Sequence, residues 1–373
     1  MSIATARKVL VAVLVSGAAA AAPSVAAADG GPFINRFNTI TPGVSTVPQT
    51  GPEAGDLNPY GVAVVPRTVG GLVKGDVLVS NFNNSANQQG TGSTIVEISP
   101  SGQQKVFATV AQPPGSPAVG LTTALVALRN GDVIVGNLPA PGGDPEQASA
   151  GALTILDSHG NVVTTVRSKD INGPWDMTAV DGGSLVTLFV TNVLNGTVAA
   201  SPDINHPNVV NDGTVIRIVL AFGPDNHAFV LSNQVIASGF PERLDAAALV
   251  IGPTGVGLGA GDVLYVADSL GNRVAAVPDA LFRQSALGHA GDTVFSGAPL
   301  NDPLGLTIAP NGDILTVNGN DGNIVETTPA GHLAATKTLI ENGGGDLFGL
   351  AVAPNGQGVY FVNDGANSLQ LLH

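Results

Sequence analysis

One phrase recurs along the chain without gaps. Asn58-Pro-Tyr-Gly-Val-Ala-Val-Val-Pro66 aligns with Asp302-Pro-Leu-Gly-Leu-Thr-Ile-Ala-Pro310 and with Asp346-Leu-Phe-Gly-Leu-Ala-Val-Ala-Pro354. Each copy runs into a Gly-containing turn and a second apolar run, Asp76–Asn81, Asp313–Asn318 and Gly358–Asn363 respectively. Looser copies start at Leu121 (with Asp132–Asn137), at Pro174 (with Leu188–Asn192) and near Ala246 (with Asp262–Asp268), which makes six units. A unit that cannot bury both its faces alone has to stack against its neighbours, so the repeat dictates the architecture.

Within a unit the pattern predicts four short strands. In the first they are Tyr60–Pro66, Asp76–Asn81, Ser93–Ser99 and Lys105–Ala111. These runs are short, rich in β-branched residues and bounded by Gly, Asn, Asp or Pro. Turns between third and fourth strands recur as Ser99-Pro-Ser-Gly102, Asp157-Ser-His-Gly160 and Thr328-Pro-Ala-Gly331, where Gly supplies positive φ. Four-stranded units in series predict an all-β, six-bladed β-propeller. The last unit has only three strands before the chain ends at His373, and a spare strand, Ile34–Ile40, precedes the first unit. That N-terminal strand is expected to complete the last blade, which latches the ring and covers an edge open to aggregation.

Composition agrees with this reading. With 49 Gly, 26 Pro and 11% charged residues, good helix formers are too sparse for a helical bundle, while the apolar content suffices for a core. A net charge of −14 argues against nucleic acid or an anionic membrane surface as a partner. There is no Cys, so disulfides, thiolate chemistry and Cys-ligated metals are excluded. Residues 1–28 read as a signal peptide: Arg7 and Lys8, an apolar run Val9–Ala22, and Ala26-Ala27-Ala28 as cleavage site. Its removal leaves residues 29–373 as one propeller, more acidic by two charges, with no later span long and apolar enough for a bilayer. The expected location is secreted or periplasmic.

Gly261-Asp-Val-Leu-Tyr-Val-Ala-Asp-Ser-Leu-Gly-Asn-Arg-Val274 resembles the core of an NHL repeat, an apolar strand ending in Val-Ala-Asp and followed by Asn-Arg. The Pro-x-Gly openings at Pro59 and Pro303 fit the first strand of that family. The resemblance implies a six-bladed propeller and leaves activity open, because NHL propellers include both binding modules and enzymes.

In a propeller, ligands usually meet the face where innermost strands begin, and antiparallel alternation puts second-to-third loops on that same face. Asn58, Asp176, Asp302 and Asp346 open first strands there, and long loops Phe82–Gly92, Leu138–Ala150 and Val193–Asp212 overhang it in units 1 to 3 only. A ligand would approach over the short-looped units. Asn81, Asn137, Asn192, Asp268, Asn318 and Asn363 end second strands on this face, where such residues commonly bond local backbone. Trp175, the sole Trp, either stacks a ligand or wedges between blades.

Asp176, Asp302 and Asp346 around one axis would repel unless neutralised, and scattered oxygen donors suit Ca²⁺. Six-bladed lactonases of the gluconolactonase type hold such an ion with one Glu and several Asn or Asp. Here no Glu opens a first strand, and the nearest are Glu242 and Glu341. Propeller lyases use several His or His–Glu pairs. Of the six His only His206, in the long unit 3 loop, can reach the channel mouth. No Gly-x-Ser-x-Gly elbow or phosphate-binding Gly-Lys-Ser/Thr occurs. Two functions are therefore expected as alternatives. One is an exported scaffold binding a ligand or protein partner, carbohydrate or peptide, through Asn58, Trp175, Asp176, Asp302 and Asp346. The other is a metal-assisted lactonase or lyase, with calcium on the three acids and His206 or Glu242 moving protons.

Overall fold

A computed structural model describes residues 31–194, 204–223 and 227–373. Residues 1–28, expected to form a signal peptide, and much of the unit 3 loop lie outside the described residues.

Six antiparallel sheets follow one another along the chain. In blade 1 the strands are Leu57–Val64, Val77–Asn83, Thr94–Ile98 and Gln104–Thr109, within a few residues of expectation. Blades 2, 4 and 5 are likewise four-stranded and open with Leu121–Ala127, Pro253–Leu258 and Pro303–Ile308. Blade 3 departs from the pattern. Its outer strands, Val210–Phe222 and Ala228–Asp245, are far longer than the others, and Leu249–Ile251 adds a fifth strand. The start of unit 4 was expected near Ala246, but the segment there turns back onto Arg243–Asp245 as the fifth strand of blade 3. Blade 4 begins only at Pro253.

The ring closes through the N-terminus, with other residues than expected. Blade 6 consists of Leu347–Val352, Val359–Asn363, Ser368–Leu372 and the short strand Val44–Ser45. Pairing extends through the Ile40–Leu372 bridge, and Thr39 and Thr41 donate to the carbonyls of His373 and Leu371. The expected strand Ile34–Ile40 is instead a 3₁₀ turn over Phe33–Arg36. The reason is electrostatic: the fully buried Glu326 carboxylate accepts from the N–H groups of Phe33 (2.6 Å) and Ile34 (2.8 Å). Two successive amides aimed at one anion require a turn and cannot sit in a pleat.

Apolar clusters fill the gaps between neighbouring blades. Val79 and Val96 meet Val362 and Leu369 between blades 1 and 6, and Phe33 and Ile34 join Leu315 and Phe361 between blades 5 and 6. A further cluster, Tyr60, Phe82, Leu138, Trp175, Val193, Leu244 and Leu249, lies on the side where first strands begin.

All six innermost strands share one irregularity. Pro59, Leu121, Pro174, Pro253, Pro303 and Leu347 pair with Asn81, Asn137, Asn192, Asp268, Asn318 and Asn363, and the register then shifts through a bulge. Two residues beyond each of these come Gly61, Thr123, Asp176, Gly255, Gly305 and Gly349. A Cβ on Gly61 would stand 2.7 Å from the Thr123 carbonyl oxygen, and one on Gly305 or Gly349 would collide with the Phe348 or Tyr60 carbonyl. Backbones of adjacent blades touch at this level, so the recurrent Gly is demanded by close approach.

Candidate functional site

The ring of close contacts divides the axis in two. On the side where first strands start lies a cavity of about 670 Å³. On the other side is a channel of about 490 Å³. A constriction lined by Thr123, Trp175, Asp176, Gly255, Gly305 and Gly349 separates them and holds only about 10 Å³.

The floor of the upper cavity is aromatic. Tyr60 is stacked between Phe82 (centroids 4.3 Å) and Phe348 (4.0 Å), and Trp175 stands edge-on to Tyr60 and Phe82. Tyr60, Trp175 and Phe348 line the cavity. The aromatic residues occupy equivalent places, each directly after the residue paired to a strand-end Asn. Trp175 is 4% exposed, so it both packs between blades and forms part of the floor.

Polar groups surround that floor. Asn58, Asn272, Asn301, Asp302, Asn320 and Asp364 come from blades 1, 4, 5 and 6, and Arg243 and Asp245 come from the hairpin that ends blade 3. Of the long loops expected to overhang this face, only the first reaches the cavity lining among the described residues, through Gln89. Arg243 Nη1 and Asp245 Oδ2 are 2.8 Å apart. The rim is held by a repeated device: the Asn272 side-chain oxygen accepts from Asp302 N–H (3.1 Å), and that of Asn367 accepts from Asn58 N–H (2.7 Å). Asn58, Asn272, Asp302 and Asn367 all have positive φ, which Asn and Asp tolerate best among non-Gly residues. Asn58 Oδ1 is buried without a hydrogen-bond partner.

Burial, reinforced by Asp346, pushes the Asp364 carboxyl up to about 7. The Asp302 carboxyl is also raised, by burial and then by Asp245, against the lowering effect of Arg243. The cavity thus contains two carboxyls that are reluctant to ionise beside one guanidinium.

Of the residues singled out in the sequence, Asn58, Trp175 and Asp302 line this cavity together. Asp346 stands behind it, its carbonyl accepting from Asp364 N–H (2.8 Å). Asp176 is on the far side of Trp175, lining the constriction and the lower channel. Among the described residues no three His, Cys, Asp or Glu side chains come together as metal ligands, so Asp176, Asp302 and Asp346 do not fit a shared calcium ion. Glu242 is fully buried, lines neither large cavity, and accepts from Leu194 N–H (2.8 Å) where the long loop leaves its strand. Burial lifts its carboxyl to about 7. His206 is exposed and lines neither cavity.

Most strand-end Asn side chains bond nearby backbone: Asn81 to the Thr46 carbonyl, Asn137 to that of Val119, Asn318 to that of Pro299. The residues missed were Tyr60, Phe348, Asp364 and the Arg243–Asp245 pair. The first two had a signal, the aromatic that shares the Trp175 position in the aligned repeats. Arg243 and Asp245 had none, because their hairpin breaks the repeat.

No protein-family model and no curated protein matches the sequence. Solved structures do resemble the fold. A streptogramin B lyase superposes with a TM-score of 0.52 at 13% identity, over 90% of this chain and 97% of its own. A gluconolactonase from Xanthomonas campestris gives 0.51 at 14%, over 90% and 95%. Regucalcin from Agrobacterium tumefaciens, a calcium-binding protein, gives 0.51 at 13%, over 86% and 91%. At such identities the likeness establishes the six-bladed frame and nothing finer.

Proposed function

We propose that this protein is an exported, NHL-like propeller that binds a neutral sugar or short oligosaccharide in the cavity above Tyr60, Trp175 and Phe348. The observation that carries this reading is the pairing of an aromatic floor with a rim of amides, carboxyls and one guanidinium. A sugar ring presents C–H groups on its faces and hydroxyls around its edge. The floor offers the faces apolar surface, chiefly the half-buried Phe348, and the rim offers both donors and acceptors to the edge. The cavity volume is within the range of small-molecule sites. Export rests on the segment 1–28. No helix among the described residues is long and apolar enough to cross a membrane.

Calorimetric titration of the purified protein with neutral mono- and oligosaccharides tests the proposal. Saturable binding should weaken at least tenfold in Asp302→Ala, which removes rim hydrogen bonds to the sugar worth about 1.5 kcal/mol or more, and also in Asn272→Ala, which releases the Asp302 amide and so displaces that rim. Binding that ignores both substitutions would refute it.

The Asp364 carboxyl supports a second reading, hydrolysis of a sugar lactone. A group poised near 7 can exchange a proton at neutral pH, and it faces the cavity, which Glu242 and His206 do not. Lactone turnover in the wild type that disappears in Asp364→Asn, with sugar binding retained, would favour this reading. Retained turnover would dismiss it.

A further inference from the structure

The long blade 3 is covered unequally on its two sides. Its first four strands, Gly173–Asp181, Leu185–Val193, Val210–Phe222 and Ala228–Asp245, pair in rows whose members share a face. Towards blade 2 the sheet is covered to its end: Val186, Leu188, Ile218 and Leu220 are buried with Leu128 and Ile155, and Phe222 packs against them. Towards blade 4 the cover stops at the row Phe189–Arg217–Gln234, where Phe189 joins Leu264, Val277 and Ala280. Two further rows on that face are bare. One is Val180–Thr187–Val219–Ser232, the next Leu185–Ala221–Phe229, and no member of either is buried. Leu185 and Phe229 are 48% and 54% exposed, and neither row carries a charge.

Arg217 stands where the cover ends. It is only 6% exposed, yet among the described residues it makes a single hydrogen bond, from Nη1 to the Ala280 carbonyl (2.9 Å). Nε is buried without a partner. No acidic group is among those acting on the guanidinium, and burial alone lowers its pKa. A cation taken out of water with no counter-charge is costly to keep. Two residues past the Ala280 carbonyl, Phe282 is 71% exposed.

We propose that this bare face of blade 3 is a second binding site, for a straight-chain aliphatic monocarboxylate whose carboxylate meets Arg217 and whose alkyl chain lies along the rows of Val219 and Ala221. The carboxylate accepts from Nη2, the guanidinium nitrogen that is neither hydrogen-bonded nor sealed off. Such a charge-assisted bond gains strength where water is scarce. From Arg217 to Ala221 the face extends about 13 Å, at the usual strand rise. The occupant is selected by the two halves of the site together. A small inorganic anion would satisfy the guanidinium and leave the apolar rows wet, while an apolar peptide or a second copy of this chain would cover the rows and leave the guanidinium without counter-charge. A carboxylate with a hydrocarbon tail does both.

The test is calorimetric titration of the full chain with hexanoate, octanoate and 1-octanol at pH 7. Octanoate should bind about tenfold or more tighter than 1-octanol, as a hydrogen bond to a charged group implies. It should also bind about fourfold tighter than hexanoate, because a chain on an open face buries each added CH₂ on one side only. Arg217→Met should bring octanoate down to the affinity of octanol or below and leave octanol unchanged, which also shows that the variant is folded. Leu185→Asp, on the exposed part of the face, should abolish binding of both. The proposal is overturned if octanoate does not bind, if octanoate and octanol bind equally to the wild type, or if either substitution leaves octanoate affinity intact. A dimer of the ligand-free chain in light scattering that Leu185→Asp dissolves would place a second copy on the face and overturn it as well. Should Arg217→Met not fold, the acid-over-alcohol preference and the Leu185→Asp result decide the matter.

Discussion

At the residue scale, the decisive positions are those where a side chain, or its absence, has no substitute. Gly305 packs so closely on the Phe348 carbonyl that an added methyl must displace backbone of the next blade. Gly305→Ala should therefore destabilise by about 2 kcal/mol or more, as overpacking does, and lower the melting temperature in a thermal scan. Asp364 belongs to a different class. Its folded pKa, about 7, lies above that of an unfolded Asp, so the folded state holds its proton more tightly. The resulting stability is complete below the unfolded value and is lost as pH rises towards about 7. Melting temperature should fall between pH 4 and 7 in the wild type, and Asp364→Asn should flatten that slope and raise stability at pH 8. A steeper slope in the variant would contradict the assignment.

At the element scale, the blades explain which sequence signals were structural. The Val-Ala-Asp…Asn-Arg segment of blade 4 is a folding device: Asp268 accepts from Gly271 N–H (2.9 Å) and from Arg273 Nε (2.8 Å), while Asn272 reaches the Leu300 carbonyl and the Asp302 amide. Its contribution to the site is indirect, since it fixes where Asp302 begins the next blade. The N-terminal latch depends on Glu326, whose carboxylate holds two amides and Asn311 Nδ2. Glu326→Ala should cost about 3 kcal/mol, given two charge-assisted hydrogen bonds. It should also loosen residues near Phe33 first, visible as early proteolytic cleavage there. Cleavage unchanged from the wild type would show that pairing of Thr39–Ser45 alone secures the closure.

At the scale of the whole molecule, blade number, order and closure could be read from the chain because strand periodicity and the phrase at Asn58, Asp302 and Asp346 are local patterns with a fixed spatial meaning. What could not be read depends on distance around the ring. Asp176, Asp302 and Asp346 are separate in sequence and look alike there. Only the bulge and the constriction reveal that Asp176 faces the lower channel and Asp302 the upper cavity. The 3₁₀ turn at Phe33 was hidden for a similar reason: its cause, Glu326, lies 293 residues away. The geometry also bears on metal dependence. With no trio of acidic or imidazole ligands among the described residues, chelation should leave the melting temperature unchanged. A fall on chelation, restored by Ca²⁺, would favour the calcium-dependent enzyme over the binding scaffold. The central claim is that the aromatic-floored cavity is where ligand binds, and the sole Trp of the chain, Trp175, forms part of that floor. Its fluorescence during titration with neutral oligosaccharides is the most direct measurement. The account predicts a saturable change that Asp302→Ala shifts to higher concentration, and calorimetric binding of the same sugar with no response from Trp175 would contradict it.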